Sequence, residues 1–202
     1  MNKGILFVFS GPSGVGKGTI LQGFLQDNPD CFYSVSATTR SKRPGEIDGV
    51  NYYYITREEF EEKISNNGML EYAEYNGNYY GTPKSTVDEM LNIGKNVFLE
   101  IEVQGAMKVK KLCPNAVFIF VMPPDINALH DRLCGRNTED EETIKNRISA
   151  ANYEINNASE YDYIIINDTV ESAQADLSAI VRAAKCSYIY KKEFVDEVLK
   201  KC

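Results

Sequence analysis

Residues 7–20 read FVFSGPSGVGKGTI: an apolar run stops at a glycine-rich turn, and a helical pattern begins at once. The run over 5–9 is too short for a helix and carries Val and Phe, so it predicts a strand buried on both faces. The pattern G-x-x-x-x-G-K-[ST] describes a loop whose backbone N–H groups wrap phosphate oxygens while its lysine reaches the terminal phosphates. Gly11, Gly16 and Lys17 match it, and Pro12, Ser13, Gly14, Val15 and Thr19 complete the candidate phosphate-binding stretch. Its glycines permit backbone conformations closed to other residues. The amides so arranged, together with the helix N-terminus, attract anions. The competing reading is a tight strand-to-helix turn without a ligand. The position that should carry a magnesium-binding hydroxyl is Gly18. Thr19 is the nearest substitute, but one helical residue turns its side chain about 100° away. Magnesium keeps several waters, so a water in place of the hydroxyl is the expectation.

The alternation of strand and helix continues along the chain. Apolar runs at 96–101, 116–122 and 163–166 predict further buried strands. Helical patterns lie at 16–27, 84–93, 105–112, 125–135, 141–156 and 170–184. Such alternation means crossover connections, hence an α/β fold with a parallel sheet flanked by helices. The tail, 188–200, has helical spacing and is expected to pack back on the body. Residues 33–82 break the rhythm and predict small antiparallel strands with one short helix at 57–66. Within them, Asn76-Gly77 is the preferred two-residue type I′ turn. That turn sets Tyr75 opposite Asn78, Ala73 opposite Tyr80 and Glu71 opposite Thr82. Side chains alternate faces, so Glu71, Tyr80 and Thr82 share one. That face either binds a polar ligand or is the solvated side of a small sheet.

The chain's formal net charge of −7 argues against a broad nucleic-acid or anionic-membrane surface. An anionic substrate must then meet a local basic site. TTRSKRPGE supplies Arg40, Lys42 and Arg43, either a second anion site or a solvated loop. Arg132 and Arg136 lie four apart on one helical face, with Arg147 further on. They fit either a charged lid that closes over phosphates or an amphipathic surface pair. Glu100 and Glu102 share a face at the C-terminal end of a strand, where open α/β sheets bind ligands. His130, the single histidine, reads as surface structure. Five scattered cysteines without metal-ligand spacing predict reduced thiols in a cytoplasmic protein. No signal peptide or run of 18 apolar residues is visible, so no membrane partner is expected.

Together these stretches resemble the guanylate kinase family: GPSGVGKGT, SVSATTRSKRPGEIDGVNY, GNYYGTP, FLEIEVQGA, RLCGRNTEDEETIKNRISAA and NDT, in the family's order over essentially the whole chain. The resemblance implies a P-loop core at 1–34, 91–125 and 151–202, a small mixed α/β GMP-binding insertion at 35–90 and a helical lid at 126–150. It implies phosphoryl transfer from Mg-ATP to GMP, giving ADP and GDP. Ser36, Glu71 and Glu100 match the family's guanine-reading groups, and Thr82 a guanine-contacting hydroxyl. Arg40, Arg43, Tyr52 and Tyr80 match its GMP phosphate ligands, with Glu46 supporting them. Lys17, Arg136 and Arg147 match groups at the transferring phosphoryl, Arg132 a lid position near ATP and Asn167 a residue near adenine. Magnesium would be held with no certain direct protein ligand, through water at Glu100 or Glu102. ATP and GMP, with dGMP a further candidate, are the expected partners of a monomer or homodimer. Two other readings are open: a related kinase acting on a ribose bisphosphate, and an inactive kinase-like domain that binds proteins.

Overall fold

The computed structural model describes residues 3–75, 77–134 and 141–201. β1 (Leu6–Ser10) runs straight into the glycine loop, and α1 (Lys17–Asp27) leaves it. β2 (Cys31–Tyr33) then returns to the same sheet. A second, smaller layer follows: β3 (Ala37–Thr38), β4 (Tyr53–Tyr54), α2 (Arg57–Ser65), β5 (Met69–Tyr75) and β6 (Asn78–Pro83). The chain re-enters the main layer with α3 (Lys84–Asn92), β7 (Asn96–Glu100), α4 (Val103–Leu112) and β8 (Val117–Met122). α5 (Ile126–Cys134), α6 (Glu141–Asn156), β9 (Tyr163–Ile166), α7 (Val170–Cys186) and α8 (Tyr188–Leu199) complete it.

The main sheet is parallel throughout, in the order β2-β7-β1-β8-β9. Period-two alternation sorts its side chains into two cores. Phe7, Phe9, Phe98, Ile119, Val121 and Ile165 face α1, α5 and α7, where Ile20, Phe24, Leu129 and Leu177 meet them. Leu6, Val8, Val97, Leu99, Phe118 and Phe120 face the other way, against Val103, Ala106 and Val109 of α4. A sheet covered on both faces requires strands apolar on both faces, which is why β1, β7 and β8 read as continuous apolar runs. The glycine loop leaves the central strand β1 between its neighbours β7 and β8, at the C-terminal edge of the sheet where ligands of such folds bind.

The hairpin β5–β6 has the register expected from its turn: Tyr75 pairs with Asn78, Ala73 with Tyr80 and Glu71 with Thr82, with a bulge between Met69 and Glu71. Asn76 itself lies outside the described residues. Two features differ from the sequence expectation. β2, only three residues long, joins the core sheet as an edge strand. β3 pairs with β4 in parallel, because residues 39–52 loop round before the chain returns, whereas an antiparallel arrangement was expected throughout. α3 packs Val87 into the main core beside Val97. The tail helix α8 docks through Tyr190, whose hydroxyl donates to the Asn115 carbonyl and whose ring meets the core. No helix among the described residues is long and apolar enough to cross a membrane.

Candidate functional site

The glycine loop owes its shape to contacts from three directions. Gly16 has φ 96°, and a Cβ there would sit 2.5 Å from the Asn167 side-chain nitrogen. Only glycine satisfies both conditions. Asn167 is buried and donates to the Val15 carbonyl at 2.6 Å. Arg132, on α5, donates to the same carbonyl at 3.2 Å and to the Asn167 carbonyl at 2.8 Å. Arg132, expected at a lid position near ATP, and Asn167, expected near adenine, thus both hold the glycine loop. Lys17 folds back so that its ammonium donates to the carbonyls of Gly11 at 2.6 Å and Pro12 at 3.0 Å. Burial pushes its pKa down, against the carboxylates of Glu100, Glu154 and Glu102.

These groups line a cavity of about 330 Å³ with Gly11, Ser13, Tyr33, Ser36, Tyr52 and Ile101. Glu100 ends β7 and faces Lys17; burial raises its pKa, while Lys17 and a hydrogen bond from Tyr33 favour its charged form. A Cβ added at Gly18 would meet nothing closer than the Glu100 carboxylate oxygens, at 3.9 and 4.0 Å. Residue 18 therefore faces the Glu100 carboxylate, and a side chain there would meet it at ordinary contact distance. Thr19 is exposed and turned away. Hard cations that keep part of their hydration shell suit such a donor set. No group of three metal-ligating side chains converges among the described residues.

A second cavity, of about 270 Å³, adjoins the first and shares Ser36, Tyr52, Glu100, Ile101 and Glu102 with it. Glu71 stands at its floor, 7% exposed. Burial raises its pKa, opposed by the Thr82 hydroxyl, which donates to its Oε1 at 2.8 Å, and by the charge of Lys108. Its other oxygen lies against the first turn of α4, where a Cβ on Gly105 would come within 2.7 Å of it. Glycine there leaves room for the carboxylate. The expected face of the hairpin is thus a cavity wall, not a solvated surface: Glu71, Ala73 and Tyr80 line it, and Thr82 lies 1% exposed behind Glu71.

Above this wall sits the basic cluster. Arg40 forms a two-pronged ion pair with Glu46, at 2.8 and 3.0 Å, and lies over the rings of Tyr52 and Tyr54. Tyr52 stacks edgewise on Tyr80, centroids 5.9 Å apart. Glu46 also accepts from the backbone N–H of Arg43 at 2.7 Å. The Arg40 guanidinium first, and that N–H second, hold its carboxyl down at about 2. Arg43 itself is exposed, as is the adjoining Lys42. Arg147 is half-buried on α6, and Arg136 lies outside the described residues.

Three participants escaped the sequence reading. Tyr33 reaches Glu100 from the edge strand, and Tyr54 reaches the Arg40–Glu46 pair. Glu154, on α6, enters the phosphate-loop cavity. Only Glu154 had a legible signal, since it follows Arg147 by seven residues on one helical face.

Residues 3–184 match the family profile described as guanylate kinase. A guanylate kinase of Streptococcus thermophilus is 57% identical over 182 residues, covering 90% of this chain and 87% of that one. One of Clostridium perfringens is 50% identical over 192 residues, covering 95% and 89%. The crystal structure of guanylate kinase from Anaplasma phagocytophilum superposes with a TM-score of 0.76 at 33% identity, covering 92% of this chain and 88% of that one. A shikimate kinase from Bacteroides thetaiotaomicron, 14% identical with a TM-score of 0.50, shares the fold alone.

Proposed function

The chain belongs to the guanylate kinase family, and from that premise we propose that it is a cytoplasmic enzyme moving the γ-phosphoryl group of Mg-ATP to GMP. The observation that carries the reading is the wall common to the two cavities. One cavity holds the glycine loop and Lys17, the other holds Glu71, and Ser36, Tyr52 and Glu100 belong to both. A donor phosphate chain and an acceptor nucleotide bound there meet end to end.

Guanine presents N1–H and N2–H₂ as adjacent donors, which suit the Glu71 carboxylate, and O6 as an acceptor, which suits a hydroxyl such as that of Ser36. Adenine would leave the buried Glu71 facing the wrong partners, and an unpaired buried polar group costs on the order of 1–3 kcal/mol. Arg40, Tyr52 and Tyr80 are grouped to receive the GMP phosphate, with Glu46 orienting Arg40 and Arg43 at the edge. Phosphoryl transfer asks little acid–base work of side chains; it asks for alignment and charge compensation. Lys17 and Arg147 supply positive charge on the donor side. Magnesium, when bound, neutralises charge on the β- and γ-phosphates. Glu100 and Glu102 would hold it through water, with Gly18 leaving the space open.

A coupled assay of ADP release across GMP, AMP, UMP, CMP and a ribose bisphosphate tests the reading. Turnover with GMP at least about 10²-fold above the other nucleotides is expected, the scale set by mismatched buried hydrogen bonds. Tight binding of ATP and GMP without turnover would overturn it in favour of a binding domain.

A further inference from the structure

Glu154 is a half-buried carboxylate inside the phosphate-loop cavity, and the transfer chemistry has no evident use for it. It lies near the end of α6, the helix that carries Arg147. Ile148 and Ala151 of the same helix pack into the core beneath α1, while Ile155 packs into the core on the other side of the sheet. Glu154 thus enters the cavity from a part of α6 that packs into the body. The groups facing it are the Ser13 backbone N–H from the loop, Lys17 from α1, and Glu102 from the start of α4. Burial first, and then Glu102, push its pKa up to about 6, against Lys17 and the Ser13 N–H.

Seven residues of helix turn through about 700°, or 20° short of two turns, and rise about 10.5 Å. Arg147, Ala151 and Glu154 therefore form one stripe. Whatever fixes Glu154 against the loop fixes the rotation of α6 about its axis, and with it the direction in which Arg147 points. A rotation of about 30° at a side chain several ångströms from the axis displaces its charge by several ångströms. Such a misplacement is costly where catalysis depends on positioned charge.

We propose that Glu154 is a positioning residue: its carboxylate, held by the Ser13 N–H, ties the phase of α6 to the glycine loop and thereby aims Arg147 at the transferring phosphoryl group. The Ser13 N–H is the group hydrogen-bonded to the carboxylate, while Lys17 acts on it through charge, so the essential property of residue 154 is an acceptor oxygen at that reach, and a neutral amide serves. The proposal rests on the GMP kinase reading.

The test is a double-mutant cycle on the full chain with ATP and GMP, using Glu154→Ala, Arg147→Ala and both together, beside Glu154→Gln. Glu154→Ala is expected to lower kcat about tenfold or more with little change in KM for GMP. In the Arg147→Ala background the same change should lower kcat less than twofold, because nothing remains to be aimed. Glu154→Gln should keep kcat within about threefold of the parent. Thermal unfolding of each variant separates lost aim from lost fold. Additive losses in an active, folded set, or Gln as damaging as Ala, would overturn this inference alone. A parent that turns over no GMP would remove the kinase reading and this inference with it.

Discussion

At Glu71 the proposed choice of guanine rests on one side chain. Its carboxylate is buried and anchored by Thr82, and the glycine at 105 leaves room for its other oxygen beside the cavity. Glu71→Ala should lower kcat/KM for GMP by about 10²-fold or more, since guanine's donors would be stranded in a dry site. ATP affinity should hardly change, and steady-state kinetics with calorimetric titration of ATP reads both. Unaltered use of GMP by that variant would remove Glu71 from the base site. Gly18 poses the opposite question, because it is a position where something is missing. The 3.9 Å between a Cβ there and the Glu100 oxygen leaves a serine free to enter without moving backbone. Glycine costs up to about 1 kcal/mol against better formers in a helix interior, and less near a helix start such as this. Gly18→Ser should therefore melt no lower than the parent and keep or strengthen ATP binding at limiting magnesium. Loss of ATP binding in a folded Gly18→Ser protein would mean that phosphate, not water, needs that space. Residues of this kind were partly legible in advance. Glu71 was readable because a hairpin turn fixes its face, whereas Tyr33 touches Glu100 from an edge strand far away in the chain, and no local pattern announces such a contact.

Among the elements, the β5–β6 hairpin was readable residue by residue, because a two-residue turn and a period of two leave one register. β2 was not, since three residues carry too little pattern to separate from a loop. The parallel β3–β4 pair depends on the course of residues 39–52, and its stability depends on charge. Arg40 and Glu46 close that loop, and Glu46 is held at about 2 against an ordinary value of 4.5. A carboxyl with a depressed folded pKa stabilises the fold above its unfolded value and loses that contribution as pH falls through the folded one. The loop's contribution should then be intact at pH 5 and decline between pH 4.5 and 2. Glu46→Gln should lower the urea midpoint at pH 7 and show a smaller further loss over the acid window than the parent. Parallel curves for the two proteins down to pH 2.5 would deny the pair its role. The same variant should weaken GMP binding, because Arg40 loses the partner that orients it.

In the molecule as a whole, two layers built by different rules meet along one seam. The parallel sheet needs helices on both faces and places its loop at a strand end; the small mixed sheet bends Glu71 and Tyr80 toward that same edge. The alternation of apolar runs and helices revealed the first layer, while the angle between the layers depends on packing that a linear pattern does not encode. The seam is the wall of Ser36, Tyr52 and Glu100 that both cavities share. For a ligand, such a wall makes two sites behave as the halves of one. A guanosine joined to a second nucleoside through a chain of phosphates would seat one end and then offer the other as a tethered group. Its local concentration is about millimolar when the tether matches the span, falling for chains that are too short or too long. Affinity across a series of increasing phosphate number should peak at one length, about 10²-fold or more above the tighter-binding of the two free nucleotides. Calorimetry on the series reads this directly. Affinity that climbs steadily with each added phosphate, following charge alone, would mean that the two halves are never filled by one molecule.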